Sequence, residues 1–170
     1  LKISTPMKEG AVVEFKEIPY HTMTVDVTEK YDEIKDKLSV FVEAENYVGK
    51  AAKGSAVYTT REFLSGGKGV QLFNTPGTTM TYEFEVEEEG NYFFAVKYVA
   101  WEVGGATRQF EIDGKGYTFN LAQTVDWGTV PENWRAIQSK TPIYLTAGKH
   151  AITFEVAKGM WNYDWFGFAK

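Results

Sequence analysis

With 170 residues and a formal charge of −5, the chain is long enough for one domain with a two-layer core. Its acidic and basic residues are interspersed, so it lacks the basic stripe that tracks phosphates, and nucleic acid is excluded as an expected partner. Cysteine is absent, which rules out disulfides and leaves the compartment open between the cytosol and a secreted domain stabilised by packing and a metal.

In chain order, residues 11–18 and 22–27 read as a small hairpin across Pro19-Tyr20-His21. Residues 28–38 follow as a short helix, with Thr28 as N-cap, early acids, later lysines, and Tyr31, Ile34 and Leu38 on one face. Residues 1–38 are therefore expected to be an N-terminal extension or linker, serving as a tail, a spacer or extra strands, and residues 39–170 the main domain. In Phe41-Val42-Glu43-Ala44-Glu45-Asn46-Tyr47, Glu43 and Glu45 share one face, because strand side chains alternate. Residues 81–87 place Tyr82, Phe84 and Val86 inward and Glu83 and Glu85 outward. Residues 92–100 are apolar on both faces except at Lys97, which suits a central strand. Asp113-Gly114 predicts a tight two-residue turn within 110–119. Residues 143–156 are expected to form a similar hairpin, bent at Ala147-Gly148-Lys149, with Ile152, Phe154 and Val156 lining one face. Short strands punctuated by turns indicate an all-β fold, a sandwich or barrel.

No apolar run approaches the roughly 18 residues that span a bilayer and no opening segment reads as a signal peptide, so no membrane partner is expected. Leu1 at the start suggests a piece processed or excised from something larger. Aromatic residues make up 16% of the chain, including five Trp and ten Tyr. Trp and Tyr need partners for their polar atoms, so such a stock points to a binding face as well as a core.

Catalytic signals are sparse. His21 and His150 sit next to turns and read as surface residues. With no Cys, a zinc or iron site lacks ligands, and Gly66-Gly67-Lys68-Gly69 lacks the spacing of a phosphate loop. Asp126 and Glu132 could act as paired carboxylates on a glycoside, but beside Gly128 and Pro131 they also suit turn formation. Calcium takes six to eight oxygen ligands. Glu43, Glu45 and Asp164 could supply the charge, with carbonyls of residues 65–68 completing the shell. Spacing alone leaves open the alternative that Glu43 and Glu45 simply line a wet strand face.

Four segments in order carry a resemblance: Glu43-Ala44-Glu45-Asn46-Tyr47, Thr124-Val125-Asp126-Trp127-Gly128-Thr129, Leu145-Thr146-Ala147-Gly148-Lys149-His150 and Asn162-Tyr163-Asp164-Trp165-Phe166. Residues 39–170 resemble the carbohydrate-binding modules of families 6 and 35. The resemblance implies a jelly-roll β-sandwich of two antiparallel sheets with a structural calcium. It also implies a non-catalytic domain that holds an enzyme on a polysaccharide. Glu43, Glu45 and Asp164 match the family's calcium ligands, Trp127 the ring that stacks on a sugar, and Asn162 the amide that bonds its hydroxyls. Many members carry a Tyr after the glycine loop as the opposing wall, where this chain has Leu72.

A pyranose has an apolar C–H face and a rim of hydroxyls, so its binder needs a flat ring and nearby amides. Trp101 and Trp161 are the candidates for a second ring, ahead of Tyr58 and Trp134, whereas Trp165 reads as core. The expected protein is thus a secreted carbohydrate-binding module, with polysaccharide and a parent catalytic domain as partners. The alternatives are a structural sandwich that packs on a catalytic domain without binding glycan, and a hydrolase or lyase using Asp126 or Glu132.

Overall fold

The structure, a computed structural model, describes residues 19–170 and, of the first eighteen, only two paired strands, β1 (Lys2–Ile3) and β2 (Val13–Glu14). Then come β3 (Tyr20–Thr22), β4 (Val25–Thr28), helix α1 (Tyr31–Lys35), β5 (Leu38–Glu43), β6 (Ala56–Tyr58), β7 (Gly69–Gln71), β8 (Thr79–Val86) and β9 (Gly90–Val99). The chain ends through β10 (Ala106–Ile112), β11 (Lys115–Leu121), β12 (Arg135–Ser139), β13 (Ile143–Leu145), β14 (Gly148–Lys158) and β15 (Asn162–Ala169). Strands β3 to β15 form a jelly-roll β-sandwich, and β1 and β2 pair with each other in a separate two-stranded sheet. One sheet has the order β3-β11-β10-β14-β8, and the other runs β4-β12-β9-β15-β7-β6, with β5 also on β15 and β13 also on β9. All pairings within the two sheets are antiparallel except β3 on β11, which is parallel.

Between the sheets lies an aromatic core in which Phe94, Phe110, Phe119, Phe154, Phe166 and Tyr82 are fully buried. The alternation in β8 holds, with Tyr82 and Val86 buried and Glu83 and Glu85 exposed. Asp113 (φ 53°) and Gly114 (φ 74°) make the tight turn between β10 and β11.

Four expectations need correction. Residues 20–22 do not turn a hairpin: they extend along β11, while β4 joins the opposite sheet through β12. The first half of that expected hairpin lies, apart from β2, outside the described residues. The helix is shorter than the expected 28–38 because Thr28 is taken by β4 and Leu38 by β5. Thr28 Oγ1 accepts a bond from the Lys30 N–H without acting as the N-cap. Residues 143–156 are not a hairpin: β13 pairs with β9 and β14 with β8 and β10, so the chain changes sheets at the bend. His150 is buried, stacked on Phe84 at 5.6 Å, with its nitrogens 2.8 Å from the Thr146 carbonyl and 2.9 Å from the Asp113 carboxylate.

The outer face of the larger sheet is covered as well, which explains why β9 is apolar on both sides. Tyr31, Ile34 and Leu38 pack with Ala95, Ala136 and Trp165, while Tyr58, Leu64 and Trp134 pack with Val99.

Candidate functional site

Four loops gather at one end of the sandwich, following β7, β9, β11 and β14. Cross-strand register holds them together: Val99 faces Asn162, Tyr98 faces Tyr163 and Arg135, and Val70 faces Tyr163. Thr124 ties the third loop to the second, donating its N–H to the Ala100 carbonyl and accepting the Ala100 N–H on Oγ1. Glu102 accepts the Met160 N–H at 2.8 Å, joining the second loop to the fourth.

This end presents apolar surface, with Leu72 (53% exposed), Trp101 (47%) and Val125 (70%) among the exposed side chains. Trp101 and Trp127 meet edge to face, ring centres 6.4 Å apart at 78°. Trp127 is half-buried and packs on the cluster containing Val99, the residue directly opposite Asn162. Directly opposed residues share a sheet face, so the half-buried Asn162 lies on the same face as Val99, the face on which the Trp127 cluster packs. A surface with two indoles and an amide suits a ligand that has both an apolar face and hydroxyls.

The loop that carries Trp127 is rigidly supported. Both carboxylate oxygens of Asp126 accept bonds within it, from the Trp127 N–H (2.7 Å) and the Thr129 hydroxyl (3.1 Å). Gly128 (φ 81°) offers its carbonyl to the Trp134 indole N–H and to Arg61 Nε. A Cβ on Gly128 would lie 2.6 Å from the buried Trp134 ring. Asp126 is thus a turn-building residue here, and Glu132 sits in the adjoining turn Pro131–Asn133.

Trp161 does not join this surface. It is fully buried, stacked on Tyr163 at 4.2 Å and covered by the Arg108 guanidinium at 4.9 Å, so neither face is free for a ligand. Trp134 is also fully buried and Tyr58 nearly so. Leu72 has a left-handed backbone (φ 61°), which is strained for a γ-branched residue, and its side chain is exposed.

The predicted metal residues occupy the opposite side of β15 from the core. Glu43 and Glu45 both face the loop after Leu64: a Cβ on Gly66 would lie 3.6 Å from one carboxylate and 3.8 Å from the other. Ser65 donates its hydroxyl to Glu43 at 2.7 Å. One oxygen of each glutamate is buried without a hydrogen-bond partner. Burial, and then the charges of Glu43 and Asp164, raise the pKa of Glu45. Asp164 is fully buried, and its carboxylate is already engaged by Lys97 Nζ at 2.8 Å and by the Ser65 N–H at 3.0 Å. Among the described residues no group of three or more His, Cys, Asp or Glu is arranged to hold a metal ion. Lys97, between Tyr31 (4.1 Å) and Trp134 (5.5 Å), was legible in the sequence only as an interruption of β9.

The family model for carbohydrate binding module (family 6) matches residues 43–170. The chain belongs to this family of carbohydrate-binding modules. Solved structures of similar fold include a module of lichenase 5A from Cellvibrio mixtus, in complex with cellotriose (24% identity, TM-score 0.63, covering 78% of this chain and 98% of that one). Another is the C-terminal family 6 module of the marine laminarinase LamC from Zobellia galactanivorans (18% identity, TM-score 0.62, covering 78% and 100%). A third is the β-1,4-mannanase with a family 35 module from Podospora anserina (15% identity, TM-score 0.58), where the match covers 76% of this chain and 27% of that one. No curated protein sequence matches the chain.

For a family 6 module, the Trp127 loop is the natural place to test rigidity. Gly128→Ala is expected to cost about 2 kcal/mol, because it combines a left-handed backbone with a clash on Trp134. A thermal melt checks this, and a melt unchanged from the parent would show that the loop does not rest on Trp134.

Proposed function

We propose that the module binds polysaccharide at the loop end of the sandwich, with Trp127 and Trp101 under the sugar's apolar face and Asn162 at its hydroxyl rim. The observation that carries this reading is the edge-to-face pair of Trp101 and Trp127, at an end where apolar side chains are exposed and where Asn162 pairs with Val99 at the end of the strand that leads into Trp101. With Leu72 in place of a ring, one wall is aliphatic, and stacking is confined to the indole side. In this reading the module, residues 39–170, is non-catalytic and secreted, and it targets an attached glycan-degrading domain to its substrate. The cellotriose complex of the lichenase 5A module and the origin of the LamC module in a laminarinase make β-glucans the first ligands to test. Affinity electrophoresis against soluble β-glucans, xylan, mannan and galactan should show retardation by at least one of them. Free migration in all of them would favour a structural sandwich that packs on a catalytic domain.

We further propose that a structural calcium is held by Glu43 and Glu45, with Asp164 behind them adding charge. The unpartnered buried oxygens of both glutamates, beside a glycine with no side chain to fill the space, fit a hard cation. Bound there, the cation would neutralise the glutamates and clamp β5 to the loop before β7. Chelator should lower the melting temperature by roughly 5–10 °C, reversed by calcium, since an ion bound only by the folded chain stabilises it by mass action. Without the ion, the raised pKa of Glu45 means that the folded chain binds the proton more tightly than the unfolded chain. Its contribution to stability then falls as pH rises from the ordinary Glu value through the folded one. Glu45→Gln should therefore stabilise the protein in chelator at neutral pH and destabilise it in calcium. Identical melts in both conditions would remove the ion from the account.

A further inference from the structure

Among the described residues Arg108 is the one fully buried arginine, and it has no carboxylate among its hydrogen-bond partners there. It lies on the inward face of β10, two residues before Phe110, where a hydrophobic side chain would ordinarily pack. Burying an unpaired guanidinium is costly, and burial lowers its pKa. An apolar side chain of similar volume would avoid that cost, so the charge requires a reason.

Its hydrogen bonds supply one. Nη1 donates to the carbonyls of Lys158 (2.7 Å) and Thr107 (3.1 Å), and Nη2 to those of Phe73 (2.9 Å) and Gly159 (3.0 Å), with the Asn74 side-chain oxygen at 3.5 Å. The same Asn74 oxygen accepts the Trp161 backbone N–H at 3.0 Å, and the Trp161 ring lies over the guanidinium at 4.9 Å. Phe73 directly follows Leu72. Gly159 directly precedes Met160, which is followed by Trp161 and Asn162. Two separate loops of the binding end are thus pinned to one rigid fork anchored in the smaller sheet. A lysine could not reproduce this, because its ammonium is a single point, whereas the planar guanidinium holds its Nη donors in fixed directions toward both loops, with Nε buried and unpartnered.

We propose that Arg108 is the positioning residue of the binding end: it fixes the spacing between the loop bearing Leu72 and the segment bearing Met160 and Asn162, and so the width of the site. It touches no ligand and acts through the loops that do. The inference rests on the glycan-binding reading given above.

The test uses Arg108→Lys and Asn74→Ala in the full chain. Hydrogen exchange is followed at the amides of residues 72–74 and 158–162, beside titration with cellotriose or whichever oligosaccharide the parent binds. Arg108→Lys is expected to fold with the parent's far-ultraviolet spectrum, to speed exchange at those two segments selectively, and to weaken binding by about tenfold or more. Asn74→Ala, which removes the acceptor shared by Arg108 and the Trp161 backbone N–H, should do the same to a smaller degree with a modestly lowered melting point. Exchange that rises evenly over both sheets, or binding and exchange equal to the parent in both variants, would overturn the proposal. A parent that binds no saccharide would remove the glycan reading, and the loop-selective exchange would then decide the role of Arg108 by itself.

Discussion

Trp127→Ala is expected to weaken saccharide binding by about 2 kcal/mol or more, roughly 30-fold, as for a central aromatic anchor. Titration against the best-retarded polysaccharide measures this. The indole is half-buried against the cluster that contains Val99 and Trp134, so truncation also removes some packing. That cost should stay near 1–2 kcal/mol, because the loop is held independently by Asp126 and by the Gly128 carbonyl. The two effects are therefore separable: binding is lost while the fold persists. Trp101→Ala should weaken binding less, and the double variant should lose less than the sum, because the two rings touch. Full affinity in Trp127→Ala would move the ligand elsewhere on the module.

The second large effect is on stability. Lys97→Ala is expected to destabilise the sandwich by about 3–5 kcal/mol, because it leaves the buried Asp164 carboxylate without its cation. For a chain of this length that corresponds to a drop of roughly 10 °C or more in melting temperature. The loss spreads beyond one ion pair. Lys97 also lies between the rings of Tyr31 and Trp134, so α1 and the support of the Trp127 loop meet at its ammonium. Adding Asp164→Asn to Lys97→Ala should recover part of the loss by removing the orphaned charge. A melt of Lys97→Ala within a degree of the parent would show that Asp164 is neutralised by another route.

Much of the sandwich was legible because local rules and tertiary packing agree. Asp113-Gly114 can adopt the positive φ angles of its turn, and β8 shows the alternation of a strand wet on one side. The departures occur where packing overrides local pattern. The glycine bend before β14 looks like a hairpin, yet the chain crosses there from one sheet to the other, because β13 finds its partner in β9. His150 follows a turn glycine, but its position on the inward face of β14, beside Phe84, buries it. Period-two alternation contained the signal that would have assigned Trp161 correctly. With Asn162 facing out, Trp161 and Tyr163 fall on the same inward face, where they stack. Arg108 gave no such signal, since a lone arginine in a strand reads as surface until the carbonyls around it are seen. Spacing placed Glu43 and Glu45 on one strand face, but β5 ends at Glu43 and Glu45 lies in the turn that follows, so their convergence on Gly66 depends on a turn and a loop whose paths the sequence does not fix.

The most direct measurement is an amide and indole correlation spectrum of the isotope-labelled chain during titration with an oligosaccharide it binds. The five tryptophans report separately. The indole resonances of Trp101 and Trp127 and the side-chain amide of Asn162 should move with the ligand, while those of the buried Trp134, Trp161 and Trp165 shift little. Saturation with ligand that leaves Trp101 and Trp127 unmoved, or shifts only residues on the open face of the smaller sheet, would contradict the account.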